Sequence, residues 1–263
     1  MTRHGEGSTG DGDVRTPGYD PAAYGDELAS TYDALYPKDG LTTVAAVDFL
    51  HGLAQRHPGR SVLEFGIGTG RLALDLHRRG LYVAGIDASA EMVAELHKKA
   101  PGAQIEVVVG DYATARVSGQ FSVVALVFNN ILDPRGLPAQ LAIFENAARH
   151  LAPGGFFVVE AFVLSDGARN GSWTVVPRYV GEDHAELQMA RFDIETSMVE
   201  RTLVHLQPEG AQFVSVRDAY AAPGELDVMA HVNGMDRVAR FASWSRAPFT
   251  SDSAQHISVY QRR

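Results

Sequence analysis

The stretch VLEFGIGTGRLAL, Val62 to Leu74, decides the fold. A short, mainly apolar run enters three glycines, Gly66, Gly68 and Gly70, and passes directly into a helical pattern, which predicts a strand, a tight turn and a helix. Glycine suits such a turn because it accepts positive φ and because its missing side chain lets a ligand lie against the backbone. Taken alone, the turn is also compatible with close packing of helix on strand and nothing more.

The next acidic residue discriminates. A second apolar run, Leu81 to Ile86, ends in Asp87, 21 positions after Gly66, where a carboxylate can take the two hydroxyls of a ribose. Nicotinamide and flavin proteins share that geometry, but their turn reads G-x-G-x-x-G, with the third glycine packing the helix beneath a pyrophosphate. Here the spacing is G-x-G-x-G, Arg71 stands at the dinucleotide position, and Glu64 puts an anion beside the turn. An anion there disfavours a pyrophosphate and favours a cation, so a phosphate-free sulfonium cofactor with a ribose and an adenine fits better.

These residues resemble the class I S-adenosylmethionine-dependent methyltransferases. The resemblance continues through GIDAS (Gly85 to Ser89), GDY (Gly110 to Tyr112), FSVVALVFNNILD (Phe121 to Asp133) and LAPGGFFVVEAF (Leu151 to Phe162), in the family's order over roughly residues 60 to 163. It is strongest to small actinobacterial enzymes that methylate natural products and amino sugars. The resemblance implies an α/β fold: a Rossmann-like seven-stranded, mostly parallel sheet with the last strand antiparallel, plus an inserted antiparallel β cap. It implies S-adenosyl-L-methionine as cofactor and S-adenosyl-L-homocysteine as product, held by Tyr24, Glu64, Gly66, Gly68, Gly70, Asp87, Ala88, Met92, Asp111, Tyr112 and Phe128. Within that set Asp111 matches the residue that bonds the adenine amino group and Tyr112 stacks on the ring, although a turn aspartate also serves as an ordinary cap.

Composition narrows the partners. A chain of 263 residues with a formal net charge of −9 and no basic run lacks the clustered Lys and Arg that phosphate backbones require, which argues against nucleic acid. The absence of cysteine rules out disulfides, thiolate metal sites and a cysteine nucleophile. No apolar run approaches the roughly 20 residues that span a bilayer, and no signal-peptide core is visible, so a soluble cytoplasmic protein without membrane contact is expected. The ten histidines are scattered without ligand spacing, so no metal site is expected and metal-dependent catechol methylation is disfavoured. There is neither a Gly-x-Ser-x-Gly elbow nor a P-loop.

Four segments follow. Residues 1–18 are polar and predict a disordered tail. Residues 19–57 predict a helical lid: Tyr19, Tyr24, Leu28, Tyr32, Leu35 and Tyr36 recur at near-helical spacing before Pro37, and Leu41 to His57 reads as a further helix. Residues 58–165 and 221–263 carry the cofactor-binding domain. Within it Leu72–Arg79 reads as a helix whose N-terminal amides suit the methionine carboxylate, and Ser89 caps a helix to Lys99. Ile105–Val109, Phe121–Phe128 and Phe156–Val163 read as strands. Leu137, Leu141, Phe144, Ala148 and Leu151 mark one face of a helix ending at Pro153-Gly154-Gly155. Pro223–Asn233 reads as a helix, and Val238–Trp244 and His256–Gln261 as the last strands.

Residues 166–220 break that rhythm with four alternating segments near Ser172–Val180, Ala185–Ile194, Met198–Leu206 and Gln212–Ala219. By resemblance this insertion caps the acceptor pocket and is a candidate homodimer contact.

Methyl transfer from a sulfonium is an in-line displacement that depends mainly on alignment, and a basic group helps only when the nucleophile arrives protonated. The candidates for that help are Tyr32, Tyr36, Asn129, Asp133 and His184, with Glu160 behind them. The tyrosines read equally well as packing residues, Asp133 before Pro134 as a turn former, and His184 as a solvated hairpin residue. The expected function is methylation of a small-molecule acceptor, nitrogen slightly ahead of oxygen or carbon, in natural-product biosynthesis. A sulfonium-using cyclase or rearrangement catalyst and a non-catalytic binding module remain open alternatives on the same fold.

Overall fold

The computed structural model describes residues 20–36, 41–164 and 172–263. The expected tail, together with Tyr19, Pro37 and the start of the insertion, lies outside the described residues. Two short helices, α1 (Ala23–Leu28) and α2 (Tyr32–Leu35), precede α3 (Leu41–Ala54). The alternating part follows as β1 (Ser61–Phe65), α4 (Ala73–Arg78), β2 (Tyr82–Asp87), α5 (Ala90–Lys99), β3 (Glu106–Val109), β4 (Phe121–Leu126), α6 (Leu137–His150) and β5 (Leu151–Phe162). Next come β6 (Thr174–Val180), β7 (Ala185–Asp193), β8 (Met198–Gln207) and β9 (Gly210–Ala219), and then a helix, α7 (Pro223–Val232), with β10 (Met235–Phe241) and β11 (Gln255–Arg262).

Seven strands form one sheet in the order β10-β11-β5-β4-β1-β2-β3. Strands β1 to β5 pair in parallel, and β11 runs antiparallel to both β5 and β10, as expected for this fold. The chain walks outward from β1 to β3 and then returns to β4 on the other side of β1, so a crevice opens at the carboxyl ends of β1 and β4, where open α/β sheets bind ligands.

Both faces of the sheet are covered, which is why the central strands read as continuous apolar runs. Alternate residues feed opposite cores: Leu63, Phe65, Val124 and Phe157 pack with Phe144 and Tyr260, whereas Val62, Val123 and Val158 pack with Leu50, Leu72 and Leu96. Gly85 on β2 is obligatory for packing, because a Cβ there would lie 2.4 Å from Ile67 Cδ1 in the neighbouring turn.

Strands β6 to β9 form a separate antiparallel sheet in sequential order. Pro177 is tolerated because β6 is an edge strand and its pairing slips between Pro177 and Tyr179. The insertion joins the main sheet where Ala219 N donates to Leu132 O (3.2 Å) and where Tyr220 stacks on Phe162 at 5.9 Å. Among the described residues no helix is long and apolar enough to cross a membrane.

Three expectations need correction. The tyrosine-rich segment is not one helix, since it breaks between Leu28 and Tyr32. Helix α6 ends at His150, and Pro153-Gly154-Gly155 form an irregularity inside β5, where Leu151 pairs with Phe121 and the next partner of β4 is Phe156. The buried face of α6 is also rotated: Leu137 and Leu141 are 56% and 36% exposed, while Gln140, Ile143, Phe144 and Ala147 face inward. Gln140 is hidden because its Nε2 donates to Ala219 O at 2.8 Å, a partner supplied by the distant insertion.

Candidate active site

All three glycines of the turn have left-handed backbones, with φ of +71°, +54° and +80° at Gly66, Gly68 and Gly70. Their surroundings differ. A Cβ on Gly66 would lie 2.6 Å from Asn130 Nδ2, and one on Gly70 would lie 2.9 Å from Leu96, so these two are packed tight. Gly68 has room, its nearest neighbour being Met92 Sδ at 4.0 Å, and this is where the hollow reaches the backbone.

Acidic groups border that hollow. Asp87, at the end of β2, accepts from Gly68 N (2.7 Å) on one oxygen and from Ser89 N (2.9 Å) on the other, which fixes the carboxylate. Burial holds its pKa above the usual carboxylate range. Ala88 follows it, half-buried, and Ser89 Oγ accepts from Met92 N to cap α5 and seat the Met92 thioether. Glu64 is almost fully buried at the end of β1, and its Oε2 has no hydrogen-bond partner among the described residues. Burial pushes its pKa up to about 8 despite the nearby Arg71 guanidinium.

Arg71 was not among the site residues expected from sequence, although its position after the glycines was the signal. Its guanidinium lies 3.5 Å from the centroid of the Phe128 ring, and its Nη1 donates to Thr43 Oγ1 at 2.9 Å. Phe128 and Asn129 adopt positive φ (60° and 63°) in the loop after β4. Glu160 holds this strained pair, accepting from Phe128 N and from Trp244 Nε1, each at 2.9 Å. Glu160 is therefore a loop anchor.

The first helices close over the turn. Asp33 accepts from Thr69 Oγ1 and from Lys99 Nζ, both at 2.6 Å, which pins α2 to the glycine turn and to α5. Tyr32 and Tyr36 lie 4.9 Å apart, and Tyr36 meets Phe128 edge-on at 6.0 Å. Burial raises the Tyr32 phenol to about 12, so it stays neutral.

In the loop after β4, Arg135 bridges two carboxylates, donating to both oxygens of Asp111 and both oxygens of Asp133. Tyr112 stacks on Phe65 (6.2 Å) and donates its hydroxyl to Asn130 O at 3.2 Å. Arg135 was missed in the sequence because an arginine in a polar loop carries no pattern.

Three sequence candidates for catalysis are occupied elsewhere. Asp133 has a fully buried side chain committed to Arg135, so it is not open to an ammonium. Asn129 Oδ1 accepts from Phe162 N at 2.8 Å and ties the loop to β5. His184 stacks on Tyr179 at the β6–β7 turn, and the length of β7 puts it roughly 25 Å from Phe192 at the attached end. Among the described residues no group of three or more His, Asp or Glu side chains could hold a metal ion.

Comparison with known proteins agrees with this geometry. Residues 62–155 match the family described as "Methyltransferase domain". The solved structure of the CcbJ methyltransferase from Streptomyces caelestis superposes with a TM-score of 0.79 at 30% identity, covering 93% of this chain and 99% of that one. The cypemycin N-terminal methyltransferase of a Streptomyces species is 26% identical over 252 residues, 93% of this chain and 99% of the relative. The S-adenosylmethionine-bound structure of CalS10, an amino pentose methyltransferase from Micromonospora echinaspora, shares the fold with a TM-score of 0.65 at 20% identity, covering 88% of this chain and 96% of that one. With the sheet order, the glycine turn and whole-length similarity in agreement, this chain belongs to the class I S-adenosylmethionine-dependent methyltransferases.

Proposed function

We propose that the chain methylates a nitrogen of a small-molecule acceptor held between the N-terminal lid (residues 19–57) and the inserted β cap (residues 166–220). The observation that carries the cofactor assignment is the buried Oε2 of Glu64, which has no hydrogen-bond partner among the described residues. A buried carboxylate oxygen without a donor is costly, and the methionyl ammonium of S-adenosylmethionine is a donor of the right charge. In this reading Asp87 takes the ribose hydroxyls, Met92 and Ala88 line the adenosine, Asp111 and Tyr112 flank the adenine, and Tyr24 and Phe128 close over the methionyl end.

When bound, the cofactor supplies a methyl carbon on a sulfonium for in-line displacement. The residues around it orient the acceptor and exclude water. Tyr32 acts as a neutral hydrogen-bonding and ring surface, because a phenol with a pKa near 12 is a poor proton acceptor at neutral pH, and Tyr36 extends the ring surface. The acceptor nitrogen must therefore reach the site with its lone pair free, its proton having gone to solvent.

Nitrogen is favoured because the relative matched over 93% of this chain is an N-terminal methyltransferase, whereas the ubiquinone biosynthesis O-methyltransferases match less than half of it. Turnover of matched amines and alcohols with methyl-13C cofactor tests this. N-methyl carbon signals are expected, and O-methyl or C-methyl signals alone would refute the nitrogen assignment.

The cap also has the features of a self-association surface, with Val175, Val176, Tyr179 and Phe213 exposed on its two edge strands. An isologous contact between two copies would cover such edges. Light scattering should give a dimer mass that Phe213→Glu lowers, and a monomer at high protein concentration would refute the contact.

A further inference from the structure

One guanidinium on the cap is not explained by cofactor binding. Arg201 lies on β8, two residues from Val199, which is in register with Phe192 on β7 and Asp218 on β9, so these four share one face of the cap sheet. That face meets the end of β5, where Val199 and Leu164 pack with Phe162, Phe192 and Tyr220. Arg201 sits 5.4 Å above the Phe162 ring, and its Nε donates to Asp218 Oδ2. Arg201 therefore sits where the cap meets the end of β5.

The Asp218 pair does not use up the guanidinium. Arginine has five N–H donors, and only the Nε of Arg201 donates to a described residue. The side chains of Arg201 and Asp218 are 27% and 10% exposed, whereas the Arg191–Glu200 pair on the opposite face is 43% and 36% exposed and solvated. A largely enclosed guanidinium, held at one nitrogen over an aromatic floor, presents a fork matched to a carboxylate or a phosphate.

We propose that Arg201 anchors an anionic group of the methyl acceptor, a carboxylate or a phosphate ester, and that Asp218 positions it. The inference rests on the reading that the acceptor lies between lid and cap, but not on which acceptor atom is methylated.

The probes are benzoate and phenyl phosphate, with benzamide and phenol as their neutral counterparts. They are titrated into S-adenosylhomocysteine-saturated protein, with binding followed by NMR of the Arg201 side-chain nitrogens. At least one anion is expected to bind tenfold or more tightly than its neutral partner, and the preferred arm separates a carboxylate from a phosphate acceptor. Arg201→Gln should erase the preference, a loss of about ten- to a hundredfold for the anion, with S-adenosylhomocysteine affinity unchanged. Arg201→Lys should keep part of it. Asp218→Asn should keep anion preference while loosening the arginine.

Equal binding of anion and neutral partner, no anion binding, or an Arg201→Gln protein that still discriminates would each overturn the proposal. So would loss of S-adenosylhomocysteine affinity in Arg201→Gln. None of the probes is an amine, so the result stands apart from the 13C test of nitrogen methylation.

Discussion

Loading the protein with S-adenosylmethionine at neutral pH should expel a proton from Glu64. Burial holds this carboxyl at about 8, so without cofactor it is mostly protonated at pH 7. A methionyl ammonium against Oε2 replaces the missing solvation and favours the carboxylate. If the complex returns Glu64 to its ordinary 4.5, about 0.9 proton leaves per cofactor bound at pH 7. Ionisation then subtracts about 1.4 kcal/mol from binding at pH 7, and apparent affinity should rise about ninefold from pH 6 to pH 7. Calorimetry in two buffers of different ionisation enthalpy measures the released proton directly. Glu64→Gln, of the same shape but without a titrating proton, should bind more weakly and release none. Binding enthalpy independent of buffer in the native protein, or proton release that survives Glu64→Gln, would refute the assignment of Glu64 to the ammonium. The same carboxyl opposes folding of the cofactor-free protein at higher pH. With a folded value raised above 4.5, its contribution is most favourable below pH 4.5 and is lost as pH rises through about 8.

Other expectations follow from single contacts. Gly85→Ala should cost about 1–3 kcal/mol in urea unfolding through its clash with Ile67. Gly68→Ala, which has room but sits at positive φ, should cost about 1–2 kcal/mol and weaken cofactor binding disproportionately in calorimetry. His256 is fully buried, its Nε2 has no partner among the described residues, and burial, reinforced by Arg240, depresses its pKa to about 4. Its stabilising contribution is therefore complete above 6.5 and lost as pH falls toward 4, about 3 kcal/mol at most, so His256→Gln should flatten the acid limb of the urea-midpoint profile. Gln140→Leu strands the Ala219 carbonyl at the root of the cap and should lower stability by about 1–3 kcal/mol in the same assay.

The parts of the site legible in the sequence are those carried by local backbone chemistry. Glycines at positive φ, a serine cap three residues before Met92 N, and an aspartate ending an apolar strand announce themselves because each satisfies a constraint within a few residues. The four cap strands were legible for the same reason, being joined by short turns in sequential order. Asp133, Asn129 and Glu160 were not, because each is committed to a partner from another element: Asp133 to the Asp111–Arg135 bridge, Asn129 to the end of β5, Glu160 to Trp244. The face of α6 was misread because a buried amide looks like a surface residue until the carbonyl it serves is in place.

By itself the sequence determined the strand–turn–helix repeat, the parallel sheet and the chemical kind of ligand at the first turn, since hydrophobic period and glycine placement act over one or two turns of chain. Only the tertiary structure decided which carboxylates are spent on arginines and which remain open, and that Arg201 from the cap lies over Phe162 at the end of β5. Those outcomes depend on desolvation and on contacts between residues far apart in the chain, and no local pattern encodes either.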